Sequence, residues 1–250
     1  MEIINWSFIT TNQLNGIPHP ECVSPLIPED YQPFKNLSKD ITQSRKGVTY
    51  LKCPAHTDFL RNTFAFCAPF DLTIDLEINT ENDLVKVYCE NISQEVFNTL
   101  VDTRFLFNNE KGKNPYPLLG VDWLPIFTAK NSTIVQVMPA FMHHNDFTSK
   151  TTVIPGEYDI SKWTRPVELV FEVKSNKEKI VIKKGDALSY IKFRTEDNVK
   201  LEKAGPPWEE MITCNDIRNA NTFRPLKERY RSLEKIRADK CPYPHKKKDS

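Results

Sequence analysis

The fold is indicated most clearly by residues 166–194, PVELVFEVKSNKEKIVIKKGDALSYIKFR. Three short runs rich in Val, Ile, Tyr and Phe are separated by polar turns at 175–177 and 184–186. Apolar and charged residues nearly alternate within each run, which is typical of strands with one face on a core and the other in water. The stretch therefore predicts an antiparallel β framework, but it does not identify a reaction.

Further strand candidates recur along the chain about every ten residues, with turn signals between them. Each is a short apolar run rich in β-branched or aromatic residues, and the runs cover 3–9, 48–53, 64–66, 72–78, 85–90, 105–107, 123–127 and 134–138. Strands spaced in this way predict a mainly β protein, an antiparallel jelly roll or β-sandwich, rather than alternating β and α units.

Composition divides the chain into three predicted parts. Residues 1–47 contain one strand candidate and then a cluster of prolines. Because proline fixes φ and stiffens the chain, we expect a Pro-rich N-terminal arm that packs on the body or on a neighbouring subunit. Residues 48–205 are the predicted jelly-roll or sandwich core. Residues 206–250 are predicted to form a helical C-terminal extension with a basic tail.

The C-terminal extension carries the residues that we expect to contact partners. From Pro225 onward, apolar residues recur at helical spacing and predict one amphipathic helix of about four turns. The candidate partner-binding residues are the apolar positions of this helix and three lysines of the tail: Leu226, Tyr230, Leu233, Lys246, Lys247 and Lys248. The same basic end could contact phosphates while tyrosines stack on bases, so a nucleic-acid-binding accessory protein is an alternative.

Charge and cysteine content restrict the function classes. The 34 basic and 33 acidic residues give a net charge of +1, whereas a protein that binds nucleic acid through bulk charge would be more basic. Six cysteines lie far apart in the chain, so we expect reduced, mostly buried thiols. No segment approaches the roughly 20 apolar residues of a membrane-spanning helix, and the N-terminus lacks a secretion signal. We therefore expect an unsecreted protein without membrane contact.

One motif has the spacing of part of a metal site. His144 and Asp146 match the His-x-Asp ligands in the facial triad of iron(II) oxygenases, a group housed in jelly rolls. The third ligand would be a later histidine, but the sequence has none between Asp146 and His245. We therefore interpret the segment as an exposed polar loop between strands, and a jelly-roll Fe(II)-dependent oxygenase is kept as an alternative.

Other catalytic or cofactor-binding patterns are weaker. Cys53, His56, Cys67 and Cys89 could supply zinc ligands, but the paired short spacings of zinc folds are missing. Buried structural cysteines explain these positions more simply. The sequence contains no Gly-x-Ser-x-Gly turn and no glycine-rich phosphate loop. We expect no cofactor and assign no catalytic residue.

Two segments carry a resemblance to a known family: residues 154–166, IPGEYDISKWTRP, and 182–193, IKKGDALSYIKF. They resemble a family of uncharacterised proteins encoded by tailed bacteriophages. The resemblance extends to residues 52–58 and 226–230, so it spans most of the chain. It implies a jelly-roll-like β core and no assigned activity. The turn at 184–186 also resembles one in cupin-type jelly rolls, although the metal-ligand histidines of that group are absent here.

Together these observations favour a non-enzymatic binding or assembly module. The resemblance implies a phage-encoded structural or accessory protein, located in a virion or in the host cytoplasm. We expect self-association or binding to virion proteins. Extended arms at both ends of a β core suit assemblies because they bury area between subunits without enlarging the core.

Overall fold

The computed structural model describes residues 1–10, 27, 30–38, 53–79, 84–98, 100–106, 117–121, 123–174, 179–220 and 225–239. The strands within these ranges are β1 (Glu2–Thr10), β2 (Phe34–Asn36), β3 (Thr63–Cys67), β4 (Leu72–Asn79), β5 (Leu84–Cys89), β6 (Val101–Leu106), β7 (Pro117–Val121), β8 (Trp123–Thr128), β9 (Ile134–Pro139), β10 (Thr151–Val153), β11 (Gly156–Asp159), β12 (Leu169–Val173), β13 (Ile180–Ile182), β14 (Ala187–Arg194) and β15 (Val199–Lys203). The helices are α1 (Pro54–Leu60), α2 (Gln94–Phe97), α3 (Asp146–Lys150), α4 (Trp208–Ala220) and α5 (Leu226–Asp239).

The described strands form four open sheets. Their orders are β15-β1-β8, β10-β12-β7-β6, β11-β9-β14-β3-β2 and β13-β4-β5. Every pair among these strands is antiparallel except β1 with β15, which run parallel. The prediction of a mainly β protein with antiparallel sheets is therefore confirmed.

The segment at 166–194 forms three strands, and each enters a different sheet. β12 pairs with β7, β13 with β4, and β14 with β9 and β3. In β12 the alternation predicted from sequence is present, because Leu169, Phe171 and Val173 are buried and the residues between them are partly exposed. The chain crosses between layers at the predicted Lys-Gly-Asp turn, where Gly185 adopts a φ of +89° that side-chain-bearing residues rarely take.

A hydrophobic core joins the sheets. It contains Trp6 of β1, Phe66 of β3, Phe127 of β8, Phe171 of β12 and Ile180 of β13, each at most 2% exposed. Burying one such side chain contributes about 1.5–3 kcal/mol. The four sheets are therefore held together by shared apolar contacts and not only by backbone pairing.

The first strand of the chain belongs to this body. β1 lies between β15 and β8, and the Trp6 ring packs edge-on against Phe34 of β2 at a centroid distance of 5.1 Å. The strand predicted at 3–9 is therefore confirmed. Most of the proline-rich segment, like most of the strand predicted at 48–53, lies outside the described residues. The boundary of the N-terminal arm at residue 47 stays a prediction.

Two helices form the described part of the C-terminal extension. α5 confirms the amphipathic helix predicted after Pro225. α4 was not predicted, because it is rich in polar residues and its apolar positions form only a narrow stripe. That stripe includes Met211, which packs on Leu124 and Ile126 of β8. The extension thus contributes a covering layer to one sheet.

Candidate functional site

The loop that carries the His-x-Asp motif lies between β9 and β10, as expected for a connection between strands. Asn145 forms a capping box at the start of α3: its Oδ1 accepts from Thr148 N at 2.8 Å, and its own N donates to Thr148 Oγ1 at 3.1 Å. Asn145 Nδ2 also donates to the carbonyl oxygen of Ala187 at 2.8 Å. The loop is therefore anchored to β14.

Asp146 uses its carboxylate to hold neighbouring elements together. Oδ1 lies 2.8 Å from Lys150 Nζ, and Oδ2 accepts from the backbone N of Val181 at 2.6 Å. Burial raises the pKa of Asp146, but the hydrogen bonds from Lys150 and Val181 outweigh it and hold that pKa below its ordinary value. Val181 belongs to β13, which pairs with β4 on one side. The Asp146 side chain therefore supplies a hydrogen-bond acceptor on the other side of that strand.

His144 of the motif and the preceding His143 have different surroundings. His143 Nδ1 lies 2.7 Å from Tyr190 Oη, which also accepts from Met142 N at 3.1 Å. Tyr190 is fully buried in β14, so its hydroxyl requires such partners. His144 is exposed. The hydroxyl of Tyr190 is a contact that the sequence analysis missed, because only the tertiary structure brings β14 to this loop.

The metal-site alternatives gain no further ligands. Within the described ranges, no group of three or more His, Cys, Asp or Glu side chains could hold a metal ion. His144 and Asp146 therefore have no third protein ligand there, and His245 lies outside those ranges. Cys67 and Cys214 are buried, as expected for structural cysteines, whereas Cys53 is exposed and Cys89 is partly exposed.

The partner-binding residues predicted in α5 make contacts within the chain. Leu233 is 2% exposed and packs in a cluster with Trp163, Cys214 and Ile217, and Leu226 and Tyr230 border the same cluster. A partner role for this face stays a prediction, and it requires α5 to separate from the body. Lys246, Lys247 and Lys248 lie outside the described residues.

Asp159 connects this helical extension to the β core. Its Oδ1 accepts from Ser161 N at 3.0 Å and from Ser161 Oγ at 2.6 Å, and its Oδ2 accepts from Ser132 Oγ at 2.9 Å. Its backbone N donates to Tyr230 Oη at 3.1 Å. Burial raises the pKa of Asp159, but the hydrogen bonds from Ser161 and Ser132 lower it below the ordinary value. The residue therefore acts as a structural anion.

An open polar groove of about 780 Å³ lies beside the β14–β15 turn and is lined by residues of both charges. Arg61 Nε donates to Asn198 Oδ1 at 3.2 Å, and Arg61 also donates to the Glu196 carbonyl oxygen. Lys192 Nζ donates to the Phe59 carbonyl oxygen at 2.7 Å and lies 4.5 Å from the Phe59 ring centroid. Burial lowers the pKa of Lys192. These cations stabilise the turn and the end of α1.

Comparison with known proteins yields no match to a family model, a curated protein or a solved structure. Across the described residues, no helix combines the length and apolar character that crossing a membrane requires.

Proposed function

We propose that this protein is a non-enzymatic binding and assembly module that self-associates through the outer edge of β15. Among the described strands, β15 pairs on one side only, with β1. On the other side, Val199 N already donates to Asn62 Oδ1, and the backbone N–H and C=O groups of Leu201 can pair with a strand of a second molecule. This open edge is the observation that carries the proposal.

The sequence of β15 is self-complementary in charge. It reads VKLEK, and antiparallel pairing of two copies centred on Leu201 sets Lys200 of one copy opposite Glu202 of the other, twice. Lys200 and Glu202 share one face of the strand, where Lys200 Nζ lies 2.7 Å from Glu202 Oε1. Opposite charges across a strand pair contribute about 0.2–1 kcal/mol each. A two-fold interface requires this kind of self-complementarity.

Exposed apolar side chains lie beside this edge. Ile3 of β1 is in register with Lys200 and is 46% exposed, and Met1 is 76% exposed. Pairing two copies through β15 would extend the sheet and place these side chains near the new interface. Removing these side chains from water would stabilise the association in addition to the backbone hydrogen bonds.

We further propose that the β core has jelly-roll connectivity and that the protein is a phage-encoded structural or accessory component, in the virion or the host cytoplasm. The support is the resemblance of residues 154–166 and 182–193 to a phage-encoded family, together with the open antiparallel sheets. Other virion proteins are further partners in this proposal.

Charge reversal at β15 tests the self-association. We expect Lys200→Glu to weaken it, because like charges would then face each other across the new strand pair, and the double variant Lys200→Glu, Glu202→Lys to restore it. Sedimentation velocity measures association for the full chain at concentrations up to about 100 µM, well above the Kd of a stable assembly. Lys130→Glu, an exposed reversal outside β15, is the matched control.

The proposal fails if the unaltered chain sediments as a monomer at every concentration. It also fails if an oligomer forms and Lys200→Glu leaves its dissociation constant unchanged, or if Lys130→Glu weakens association as much as Lys200→Glu does. Circular dichroism spectra of the variants verify that the fold is retained.

A further inference from the structure

A cavity of about 260 Å³ lies between the 140–149 loop, the end of β9 and β10. Its polar lining includes His143, His144, Ser149, Thr152 and Lys174. We propose that this cavity binds a small organic anion, with a phosphate or carboxylate head on the polar side and a short apolar body on the floor. This inference is independent of the self-association proposed above.

The polar side can supply positive charge and hydrogen-bond donors. Lys174 Nζ lies 3.4 Å from the carbonyl oxygens of both Thr148 and Ser149, which is longer than a usual N–H···O hydrogen bond. Its ammonium group can therefore turn toward an anion at little cost. The described lining residues of the cavity include no carboxylate, and the carboxylate of Asp146 in the same loop binds Lys150 and the backbone of Val181.

The floor is apolar and rigid. Phe147 and Leu188 are fully buried, and Ala140 and Val153 are at most 3% exposed. Phe141, which is 51% exposed, stands at the cavity and packs edge-on against Tyr190 at a centroid distance of 5.2 Å. An apolar wall with a few polar groups converging on one side is the usual composition of a ligand pocket.

Contacts within the chain hold the walls of the cavity in position. The His143–Tyr190 contact at 2.7 Å fixes one side, and the Asn145 capping box with its bond to Ala187 fixes the loop. Because these contacts order the residues before binding, little conformational entropy is lost when a ligand enters. The cavity volume lies just below the range of about 300–1,000 Å³ that is usual for ligand sites, so the ligand must be small.

Ligand titrations of the full chain test the inference. Benzoate, phenyl phosphate and neutral benzyl alcohol are titrated separately while the His143 and His144 imidazole signals are followed by NMR. We expect at least one anion to bind about tenfold more tightly than the alcohol, since a charged hydrogen bond contributes about 1.5–3 kcal/mol. The two anions distinguish a phosphate site from a carboxylate site.

Variants locate the binding in the cavity. Lys174→Gln and His144→Gln should each weaken anion binding by about tenfold, and Ser149→Trp should block it by filling the entrance. Lys130→Gln, an exposed lysine outside the cavity, should bind as the unaltered chain does. Equal affinity for anions and alcohol, equal weakening by Lys130→Gln, or unchanged binding in Lys174→Gln would each overturn the inference.

Discussion

Asn62 adopts a φ of +56°, in the left-handed region, and is the one described non-glycine residue to do so. It follows α1 at the position where glycine or asparagine commonly ends a helix. Its side chain also holds the β14–β15 turn: Nδ2 donates to the Asp197 carbonyl oxygen at 2.7 Å, and Oδ1 accepts from Val199 N at 2.9 Å. Backbone conformation and side-chain bonding therefore both select asparagine here.

Two substitutions at Asn62 separate these contributions. Asn62→Gly keeps the left-handed backbone accessible and loses two hydrogen bonds, so we expect a loss of about 1–3 kcal/mol in the free energy of unfolding. Asn62→Ala loses the same bonds and adds about 1–2 kcal/mol of left-handed strain. Urea unfolding of both variants measures the difference. Equal stability of the two variants would show that the backbone strain is relieved by local rearrangement.

Asp159 makes stability depend on pH. Its pKa is lowered in the folded chain, so it stabilises the fold above the unfolded-state pKa of about 3.9, and this contribution disappears as pH falls through the lower folded-state value. We expect Asp159→Asn to cost about 1.5–3 kcal/mol near neutral pH, with a difference that shrinks below about pH 4. Urea unfolding of both chains across this pH range measures it.

Glu157 provides the matched control for Asp159. It lies in the same strand, but its side chain is 51% exposed and pairs with Arg194 at 3.1 Å. An exposed pair of this kind contributes about 0–1 kcal/mol, so Glu157→Gln should change stability little at any pH. A pH-independent effect of Asp159→Asn would mean that the hydrogen bonds stabilise either protonation state equally.

At the scale of elements, α5 packs on the body through one apolar stripe, and Tyr230 adds a hydrogen bond from the backbone N of Asp159. Leu233 lies on the buried face of the helix, whereas its neighbours Glu234 and Lys235 are exposed. The Trp163 and Tyr230 rings lie 6.4 Å apart at the same contact. The helical period was visible in the sequence, but the surface that receives it was not, because Trp163 is about 70 residues from this helix along the chain and only the fold brings them together.

Truncating Leu233 tests this docking. We expect Leu233→Ala to cost about 2–5 kcal/mol, because it leaves a cavity among buried apolar side chains. Lys235→Ala, on the exposed side of the same helix, should change stability by no more than about 0.5 kcal/mol. Hydrogen exchange of the α5 amides measures the effect locally. Unchanged protection in Leu233→Ala would contradict the intramolecular docking and favour a partner role for this face.

At the scale of the whole molecule, the core includes the N-terminal strand. Ile4 and Trp6 of β1 are at most 2% exposed within the cluster that spans the sheets. The parallel pairing with β15 is extended by backbone bonds at both ends, from Glu2 N to the Asn198 carbonyl oxygen and from Ala204 N to the Trp6 carbonyl oxygen. The start of the chain and residues near 200 therefore fold as one unit.

Trp6→Ala should weaken the whole molecule and not only its first strand. We expect the free energy of unfolding to fall by about 3–5 kcal/mol, as for other large aromatic core residues. The midpoint of the unfolding transition should then shift equally in far-UV and near-UV circular dichroism. Asn5→Ala, on the exposed side of β1, is the control and should have little effect. Separate transitions for the two signals would contradict a shared core.

Part of this architecture was predictable from local patterns. Strand candidates at 72–78 and 134–138 correspond to described strands, because alternation reports burial on one face directly. Those at 64–66 and 123–127 also correspond to strands, but these are short apolar runs buried on both faces. α4 escaped prediction because its polar residues dilute the helical period. The His144–Asp146 segment was placed correctly between strands, but the structural use of the Asp146 carboxylate depends on Val181, a distant residue that no local pattern identifies.

The sequence by itself determined many of the extended segments, where α5 lies and why glycine occupies position 185, since these features depend on side-chain period and backbone conformation. It did not predict β7 or β15. Only the tertiary structure decided that β12, β13 and β14 separate into three sheets and that β1 pairs with β15. It also placed Tyr190 against His143 and Lys174 beside the same cavity. The physical reason is that pairing between strands and the convergence of polar groups depend on contacts between distant residues, which local periodicity does not encode.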